Sequence, residues 1–176
     1  MALVPGTHPV PSPEHMVMPT PVKAVPDCLH TLTPHLVLKD AARMIEFYVR
    51  AFGATERGRM TGPGGGIAHA ELMIGDSVLF LADEFPGAAA QAPATAGGPS
   101  VVLHLYVEDA DAAFARAVGA GATVTIPLMD AFWGDRFGQV RDPAGHVWSI
   151  ATHVEDVTPA EMKKRQEEWA ASLAKG

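Results

Sequence analysis

The sequence predicts an α+β fold in which two βαβββ modules form a curved, mostly antiparallel sheet around a cleft, followed by a C-terminal helix. Three observations support this prediction. A strand, an aspartate and a helical pattern occur twice with the same spacing, since Asp40 follows a strand at His35 and Asp109 follows one at His104. A hairpin pattern follows each helix. A stretch rich in alanine, glycine and proline at 86–100 separates the two copies, so the chain reads as an internal repeat.

Composition excludes several classes of protein. Of the 176 residues, 48% are hydrophobic and 19% charged, which is enough apolar material for a sizeable core. The net charge of -7 argues against a nucleic-acid partner, which would need a basic face. Cys28 is the one cysteine, so neither a disulfide framework nor a cysteine zinc site is expected. We expect no membrane partner and a cytoplasmic location, because we find no apolar run of about 18 residues and no targeting signal.

The chain divides into five segments. Residues 1–26 are rich in proline. Because proline lacks an N–H and fixes φ, this segment is predicted to be a flexible or surface-wrapping arm. The first module spans 27–85 and the second spans 101–153, with the linker 86–100 between them. Residues 154–176 contain the C-terminal helix, which opens with a capping box and a proline at its first position.

In the first module, a strand at 35–39 leads into Asp40, which is placed to cap the helix predicted at 41–52. One face of that helix is apolar, with residues at i, i+3, i+4 and i+7: Ile45, Tyr48, Val49 and Phe52. Gly53 ends the helix. A short strand near 55–60 and a hairpin complete the module, and the hairpin closes through a two-residue turn at Gly75 and Asp76.

The second module repeats this order. A strand at 104–108 is followed by Asp109, a helix at 110–118 and a short strand at 123–126. Its hairpin pairs 136–141 with 146–151 around the four-residue turn 142–145, which contains proline and glycine.

Two βαβββ modules with these motifs resemble the vicinal oxygen chelate superfamily of glyoxalase I, bleomycin- and fosfomycin-resistance proteins and extradiol dioxygenases. The resemblance covers about residues 30–153. It is carried by the segments 40–48, 51–54, 74–77, 107–109, 132–138 and 142–148. It implies paired modules curled around a cavity, often at a dimer interface, so a homodimer is expected.

Metal enzymes of that superfamily place ligands on the first and fourth strands of each module. Carried over by register, these positions fall on Thr33, Phe80, Val102 and Ser149. None is a histidine, glutamate or glutamine, so we expect no metal at the usual positions and no cofactor. The bleomycin-resistance branch, which binds drugs without metal, is the better precedent.

Alternation along the strands predicts which side chains face the cavity. Residues two apart share a face, and the turn that pairs Ile74 with Ser77 places Glu71 opposite Phe80. In the second hairpin the same reasoning places Arg136 opposite Ala151. The predicted cavity wall consists of His35, His69, Glu71, Phe80, His104, Arg136 and Ser149, with Met73 and Val102 as apolar neighbours.

Several roles for this wall stay open. In the first, the imidazoles are pocket groups that form hydrogen bonds to a ligand. In the second, Glu71, His69 and His104 are catalytic acids and bases. In the third, the histidines and Glu71 form a relocated divalent-metal site. Trp133 either stacks on a flat ligand or packs over the sheet edge, and Arg136 either meets a polar ligand or pairs locally with Asp135. Two functions therefore remain, namely a metal-free protein that binds a small organic molecule, and a lyase, isomerase or dioxygenase.

Overall fold

The structure, a computed structural model, describes residues 22–173. The elements in chain order are β1 (His35–Leu38), α1 (Ala41–Phe52), β2 (Thr55–Thr61), β3 (Ile67–Ile74), β4 (Ser77–Asp83), α2 (Pro93–Ala96), β5 (Val102–Tyr106), α3 (Ala110–Ala120), β6 (Thr123–Asp130), β7 (Asp135–Arg141), β8 (Val147–His153) and α4 (Pro159–Leu173). This order confirms the α+β fold class with two βαβββ modules and a C-terminal helix. Residues 1–21 of the predicted arm lie outside the described part of the chain.

The strands form two four-stranded mixed sheets. Sheet 1 has the order β1-β4-β3-β2 and sheet 2 has the order β5-β8-β7-β6. The outer pairs β1–β4 and β5–β8 are parallel, and the other neighbours are antiparallel. Within residues 22–173 no backbone pairing joins the two sheets, so the single curved sheet that the sequence predicts is replaced by two separate sheets.

Both long module helices begin as predicted and α1 also ends as predicted, whereas α3 continues to Ala120, two residues beyond the predicted end. The carboxylate of Asp40 accepts a hydrogen bond from the Arg43 amide at 3.1 Å, and that of Asp109 accepts one from the Ala112 amide at 2.9 Å. Gly53 ends α1 in the left-handed conformation, which glycine adopts without strain.

The buried face of α1 differs from the predicted one in one position. Ile45, Tyr48 and Phe52 are buried, but the Val49 side chain is 43% exposed. The buried face extends instead towards Met44, Phe47 and Ala51, because α1 packs against α3 as well as against its own sheet.

A single core joins the two modules through these helices. The ring of Phe52 lies 4.6 Å from that of Trp148 on β8, and the Tyr48 ring lies 5.4 Å from it. The buried carboxylate of Asp142 accepts hydrogen bonds from the Tyr48 hydroxyl at 2.7 Å and from the Trp148 indole at 3.0 Å. Burial, then the charge and hydrogen bond of Asp142, raise the pKa of Tyr48 well above its usual value.

This arrangement gives each sheet one face that the module helices cover and one that they leave uncovered, although Phe137 and Ala151 on the second face of sheet 2 are buried in a small cluster of their own. Leu38, Leu72 and Leu81 of sheet 1 and Val140 and Ile150 of sheet 2 belong to the shared core. The alternate residues lie on the opposite faces, which turn away from that core. We call these uncovered faces open face 1, on sheet 1, and open face 2, on sheet 2.

The register of the first hairpin is confirmed and that of the second is wrong by one residue. Ile74 pairs with Ser77 and Glu71 with Phe80, as predicted. In the second hairpin Arg136 pairs with Thr152 rather than with Ala151, and Gln139 replaces Gly138 opposite Ser149. Phe137 and Gln139 therefore lie on open face 2, and Arg136 lies on the covered face.

The physical reason for the shift is the turn between β7 and β8. Asp142 donates its backbone N–H to the carbonyl oxygen of His146 at 2.9 Å. Its carboxylate accepts from the amides of Ala144 at 2.9 Å and His146 at 3.0 Å. His146 is thereby drawn into the turn, and pairing starts one residue later, between Arg141 and Val147.

Helix α4 begins at Pro159 as predicted and lies on the loop before β7. Of the predicted capping box, the described hydrogen bonds include the one accepted by Thr158, whereas the Glu161 carboxylate binds Arg165. The Thr158 hydroxyl accepts from the Glu161 amide at 3.3 Å. Arg165 forms two hydrogen bonds of 2.8 Å to Glu155, and the Trp169 ring lies 5.4 Å from that of Phe132. None of the helices in the described residues combines the length and apolar character needed to cross a membrane.

Gly134 fixes the chain that leads from β8 towards α4. Its carbonyl oxygen accepts hydrogen bonds from the amides of Val154 at 2.9 Å and Glu155 at 3.0 Å. Its φ is +98°, and a Cβ at this position would lie 2.1 Å from the Glu155 carbonyl oxygen. No side chain therefore fits here without displacing the backbone of residues 154–156.

Replacing Gly134 with alanine is expected to lower the free energy of unfolding by about 3 kcal/mol or more. The strain of a positive φ and the overlap of the new Cβ with the Glu155 carbonyl oxygen both contribute to this loss. Urea denaturation measures the loss. Gly64→Ala is the matched control, since Gly64 has a φ of +85° but a Cβ at that position would meet no atom within 4 Å, so this variant carries the conformational cost alone. If Gly134→Ala and Gly64→Ala lowered the free energy of unfolding equally, the overlap of the Cβ at position 134 with the backbone of Glu155 would carry no energetic cost.

Candidate functional site

Open face 1 brings together the predicted residues of the first module. The ring centroids of His35 and His69 are 5.9 Å apart, and Phe80 lies 4.8 Å from His69 and 6.1 Å from His35. These three rings come from β1, β3 and β4, which are neighbours in sheet 1. Met73 is on the same face, opposite Val78. The result is an aromatic patch at the centre of the sheet.

Glu71 lies between two basic groups on this face. Its carboxylate oxygens are 3.6 Å from His69 Nε2 and 3.5 Å from a guanidinium nitrogen of Arg57. Burial, and then the neighbouring His69, lower the pKa of His35. The His35 imidazole is therefore neutral at neutral pH, so it offers one donor and one acceptor to a ligand. The charge of Glu71 is balanced by Arg57, so open face 1 carries little net charge.

Open face 2 is built in the same way from the second module. The ring of His104 lies 4.6 Å from that of Tyr106 and 6.2 Å from that of Phe137, the latter pair stacked. Beside them the Gln139 amide donates a hydrogen bond of 3.0 Å to the Ser149 hydroxyl. Phe137 and Gln139 were not predicted here, because the predicted register turned them towards the helices.

A buried carboxylate lies at one end of open face 2. Asp135 is only 2% exposed, and it accepts hydrogen bonds from the Tyr106 hydroxyl at 3.0 Å and the Trp133 indole at 2.9 Å. A third contact, 2.8 Å, joins it to Nδ1 of His153. Burial alone would raise the pKa of Asp135, but the hydrogen bonds from His153, Tyr106 and Trp133 outweigh burial and the pKa is lowered.

His153 is held between two carboxylates. Its Nε2 lies 3.0 Å from the carboxylate of Asp156, which adds to the contact with Asp135. The hydrogen bonds to Asp135 and then to Asp156 raise the pKa of His153. This group was not predicted from the sequence, because Asp135 pairs with His153 only in the observed register, in which the turn of the second hairpin includes His146.

Arg136 does not belong to the cavity wall. It lies on the covered side of sheet 2, where its guanidinium contacts Asp111 of α3 at 2.8 Å and Asp130 of β6 at 3.2 Å. The expected local pair with Asp135 is absent from the described ion pairs, and Asp135 binds His153 instead. Trp133 both donates to Asp135 and packs edge-on against Phe137, with ring centroids 5.2 Å apart.

A cleft of about 1610 Å³ lies beside β5. Its walls include His30, residues 32–34, residues 74–79 of the first hairpin, and residues 101–109, among them Val102 and His104. A smaller cavity of about 280 Å³ contains His35 and borders the linker. His69, Glu71 and Phe80 line neither of these two cavities.

The side chains at the metal positions implied by the resemblance do not suit a divalent ion. Phe80 packs on His69, Val102 is aliphatic, Thr33 precedes β1, and Ser149 is bonded to Gln139. Phenyl and isopropyl groups offer no donor atom, and hydroxyls are weak ligands. Across residues 22–173, no three His, Cys, Asp or Glu side chains are grouped so as to hold a metal ion.

The ion pairs of His153 predict a pH-dependent contribution to stability. Because the folded-state pKa is raised above the unfolded value of about 6.5, this contribution is complete below that value and is lost as pH rises through the folded-state pKa. His153→Gln is therefore expected to destabilise the chain more at about pH 5.5 than at about pH 9. Urea denaturation at both values tests this, with His30→Gln at an exposed position as control. A loss that is the same at both values would contradict the assignment.

Comparison with known proteins gives one family. The sequence profile of the Glyoxalase/Bleomycin resistance protein/Dioxygenase superfamily matches residues 29–150. Uncharacterised proteins of Mycobacterium bovis and Mycobacterium tuberculosis are 47% identical over 135 residues, which is 75% of this chain and 89% and 79% of theirs.

Solved structures share the fold. TioX from Micromonospora sp. ML1 is 30% identical with a TM-score of 0.56, covering 70% of this chain and 98% of its own. A gene product of Arabidopsis thaliana is 29% identical with a TM-score of 0.56 and the same coverage. A glyoxalase/bleomycin resistance protein/dioxygenase from Nocardioides is 24% identical with a TM-score of 0.55, covering 74% of this chain and 87% of its own.

Proposed function

Because the chain belongs to the glyoxalase/bleomycin resistance protein/dioxygenase superfamily, we propose that it binds a small, flat, uncharged organic molecule without a metal. The binding site lies between open face 1 of one copy and open face 2 of a second copy. The observation that carries this proposal is the pair of aromatic, uncovered faces, each equipped with polar groups. We place this function in the cytoplasm, as the sequence leads us to expect.

The need for two copies follows from the position of the helices. Side chains of α1 and sheet 2 share one core, so the two open faces of a chain turn away from each other and do not enclose a ligand together. A pocket encloses most of a small ligand's surface. Packing open face 1 against open face 2 of a partner supplies the missing wall, and a two-fold homodimer makes two such sites.

The chemistry of the ligand follows from the groups on the two faces. The rings of His35, His69 and Phe80 on one side and of His104 and Tyr106 on the other offer surfaces for stacking. The carboxylates are already compensated, Glu71 by Arg57 and Asp135 by His153. Among these groups a charged ligand would meet no unpaired counter-charge, and Arg141 lies apart from them at the far end of β7. A neutral heteroaromatic molecule would find both stacking and hydrogen bonds.

Two fluorescent dyes test this proposal. We expect neutral N-phenyl-1-naphthylamine to bind at least about tenfold more tightly than the anion 8-anilinonaphthalene-1-sulfonate, a difference of about 1.4 kcal/mol. Light scattering on the same samples is expected to give the mass of a dimer. Equal or tighter binding of the anion would contradict a neutral site, and a monomer saturated with the neutral dye would contradict a site shared by two copies.

A second candidate is a lyase or isomerase that moves a proton on the bound molecule. It is favoured by Glu71, whose carboxylate lies beside His69 on open face 1, where it is placed to act as a base. For this candidate, Glu71→Gln should remove turnover while the dye still binds. A stable Glu71→Gln protein that keeps full turnover would exclude Glu71 as the base.

A further inference from the structure

A buried carboxylate and a histidine form a pair to which the proposed binding function assigns no chemical step. Asp135 is 2% exposed, and Nδ1 of His153 lies 2.8 Å from one of its oxygens. Asp135 also accepts hydrogen bonds from the Tyr106 hydroxyl at 3.0 Å and the Trp133 indole at 2.9 Å. A buried polar group whose hydrogen bonds are satisfied in this way is rigid, so Asp135 holds the imidazole of His153 in one orientation.

The contact with Asp135 determines which nitrogen of His153 carries the hydrogen. An ionised carboxylate offers acceptors only, so Nδ1 is the donor, and in the neutral imidazole Nε2 holds the lone pair. The carboxylate of Asp156 lies 3.0 Å from Nε2. A lone pair and a carboxylate repel each other at this distance, so the contact with Asp156 is favourable only while His153 is protonated.

Asp156 is placed to move away from Nε2 when the imidazole becomes neutral. Its side chain is fully exposed, and the residue lies between β8 and α4, outside both elements. An exposed ion pair of this kind contributes little free energy. Departure of Asp156 therefore makes available a lone pair on an imidazole that a buried carboxylate keeps in position.

His153 lines the cleft of about 1610 Å³ beside β5. Tyr106 and Val102 line the same cleft and are 60% and 49% exposed. These side chains offer an apolar wall for the body of a small organic molecule, next to the polar atoms of the histidine. The cleft, Asp135 and His153 all belong to one chain, so this site does not depend on the site shared by two copies.

The surroundings of His153 favour proton transfer over covalent catalysis. The described hydrogen bonds join His153 to two carboxylates and to no hydroxyl or thiol. The neighbouring Thr152 hydroxyl is engaged elsewhere, since it donates to the Val107 carbonyl oxygen and accepts from the Ala110 amide. The pair therefore has the orienting carboxylate and the base of a Ser-His-Asp triad but not its nucleophile.

We propose that His153, oriented by Asp135, is a general base that removes a proton from a carbon atom of a neutral organic molecule bound in this cleft. The C–H bond breaks and its proton moves to Nε2. The electron pair of that bond forms a new π bond to the neighbouring atom, whose leaving group departs with its own bonding pair. The proton then passes from Nε2 to the leaving group or to water, and no oxidant or reductant takes part.

The charged groups around His153 give this reaction a defined pH dependence. The imidazole contacts Asp135 of β7 and Asp156 of the segment after β8, and the Tyr106 hydroxyl of β5 donates to Asp135. The hydrogen bonds to the two carboxylates raise the pKa of His153. The free base forms as pH rises through that pKa, so the rate is expected to increase with pH through a midpoint above about 6.5.

Ring opening of 5-nitrobenzisoxazole tests the proposal. This flat, neutral molecule loses a proton from carbon while its N–O bond breaks, and a coloured phenolate forms. His153→Gln is expected to lower kcat/KM at least about tenfold at about pH 9, where its expected loss of stability is small. His146→Gln is the matched control, because it removes a histidine outside this cleft, and it is expected to keep the wild-type rate. Equal rates for the wild-type chain and His153→Gln would overturn the proposal.

Asp156→Asn distinguishes a base from a structural histidine and stays informative if His153→Gln does not fold. Asparagine keeps the size of the side chain but removes the charge opposite Nε2. The midpoint of the pH–rate profile is therefore expected to move down by at least about 0.5 pH unit. A midpoint that does not move would overturn the assignment of His153 as the base.

Glu71→Gln separates this base from the carboxylate on open face 1. If Glu71→Gln abolished the ring opening while His153→Gln kept it, Glu71 would be the base and the proposal would be overturned. Loss of ring opening in His153→Gln, with binding of N-phenyl-1-naphthylamine unchanged in the same variant, would assign the proton transfer to His153 independently of the shared site.

Discussion

Replacing Asp142 with alanine is expected to destabilise the protein by about 4 kcal/mol or more. The Asp142 carboxylate accepts from the Tyr48 hydroxyl, the Trp148 indole and two backbone amides of its own turn. Alanine leaves two buried and two partly buried donors without an acceptor, and each fully buried one costs roughly 1–3 kcal/mol. The change also removes the polar bond between α1 of one module and β8 of the other, so both modules lose stability together.

Urea denaturation at neutral pH measures this loss. Tyr48→Phe removes one donor without leaving a buried group of its own unpaired, and about 1 kcal/mol is expected for it. Asp76→Ala is the control for loss of an aspartate in a turn, since Asp76 is exposed and bonds only to its neighbour Ser77 among the described side-chain contacts. If Asp142→Ala lowered the free energy of unfolding no more than Tyr48→Phe does, Asp142 would not be the polar contact that links the two modules.

Replacing Phe80 with alanine is expected to weaken binding of N-phenyl-1-naphthylamine at least about thirtyfold, or roughly 2 kcal/mol. Phe80 touches both imidazoles of open face 1, so its loss removes the ring at the centre of the patch. The side chain lies outside the core that the helices cover. The fold is therefore expected to survive while the binding surface does not.

Fluorescence titration measures the affinity for the dye, and two further variants serve as comparisons. Phe80→Leu keeps much of the apolar area and is expected to lose less affinity than Phe80→Ala. Val124→Ala removes an exposed apolar side chain of β6 and is expected to leave affinity unchanged. Wild-type affinity in Phe80→Ala would remove open face 1 from the binding site.

Local patterns account for the parts of the fold that the sequence predicts well. The two module helices begin at Asp40 and Asp109 and end at glycine because caps act within one turn of a helix. The register of the first hairpin followed from the two-residue turn at Gly75 and Asp76, which leaves one way to pair the strands. Glu71 and Phe80 were therefore placed opposite each other correctly.

The predictions from sequence are wrong where a contact between distant or buried residues determines the strand register. The predicted register of the second hairpin is wrong by one residue because the Asp142 carboxylate binds the His146 amide and so includes His146 in the turn. That slip misplaced Arg136 and hid the pair of Asp135 and His153, since a shift of one residue exchanges the two faces of a strand. The division into two sheets depends on how α1 packs against α3, which no local pattern encodes.

The most direct test of the central claim, a site shared by two copies, mixes two variants that each damage one face. Phe80→Ala alters open face 1 and Tyr106→Ala alters open face 2, so every site in either homodimer is defective. A mixed dimer has one site with both wild-type faces. We predict that equal mixing restores high-affinity dye binding at about a quarter of the sites, as expected for random pairing of two-fold dimers. If mixing restores none, the site is not formed between two copies and the account is contradicted.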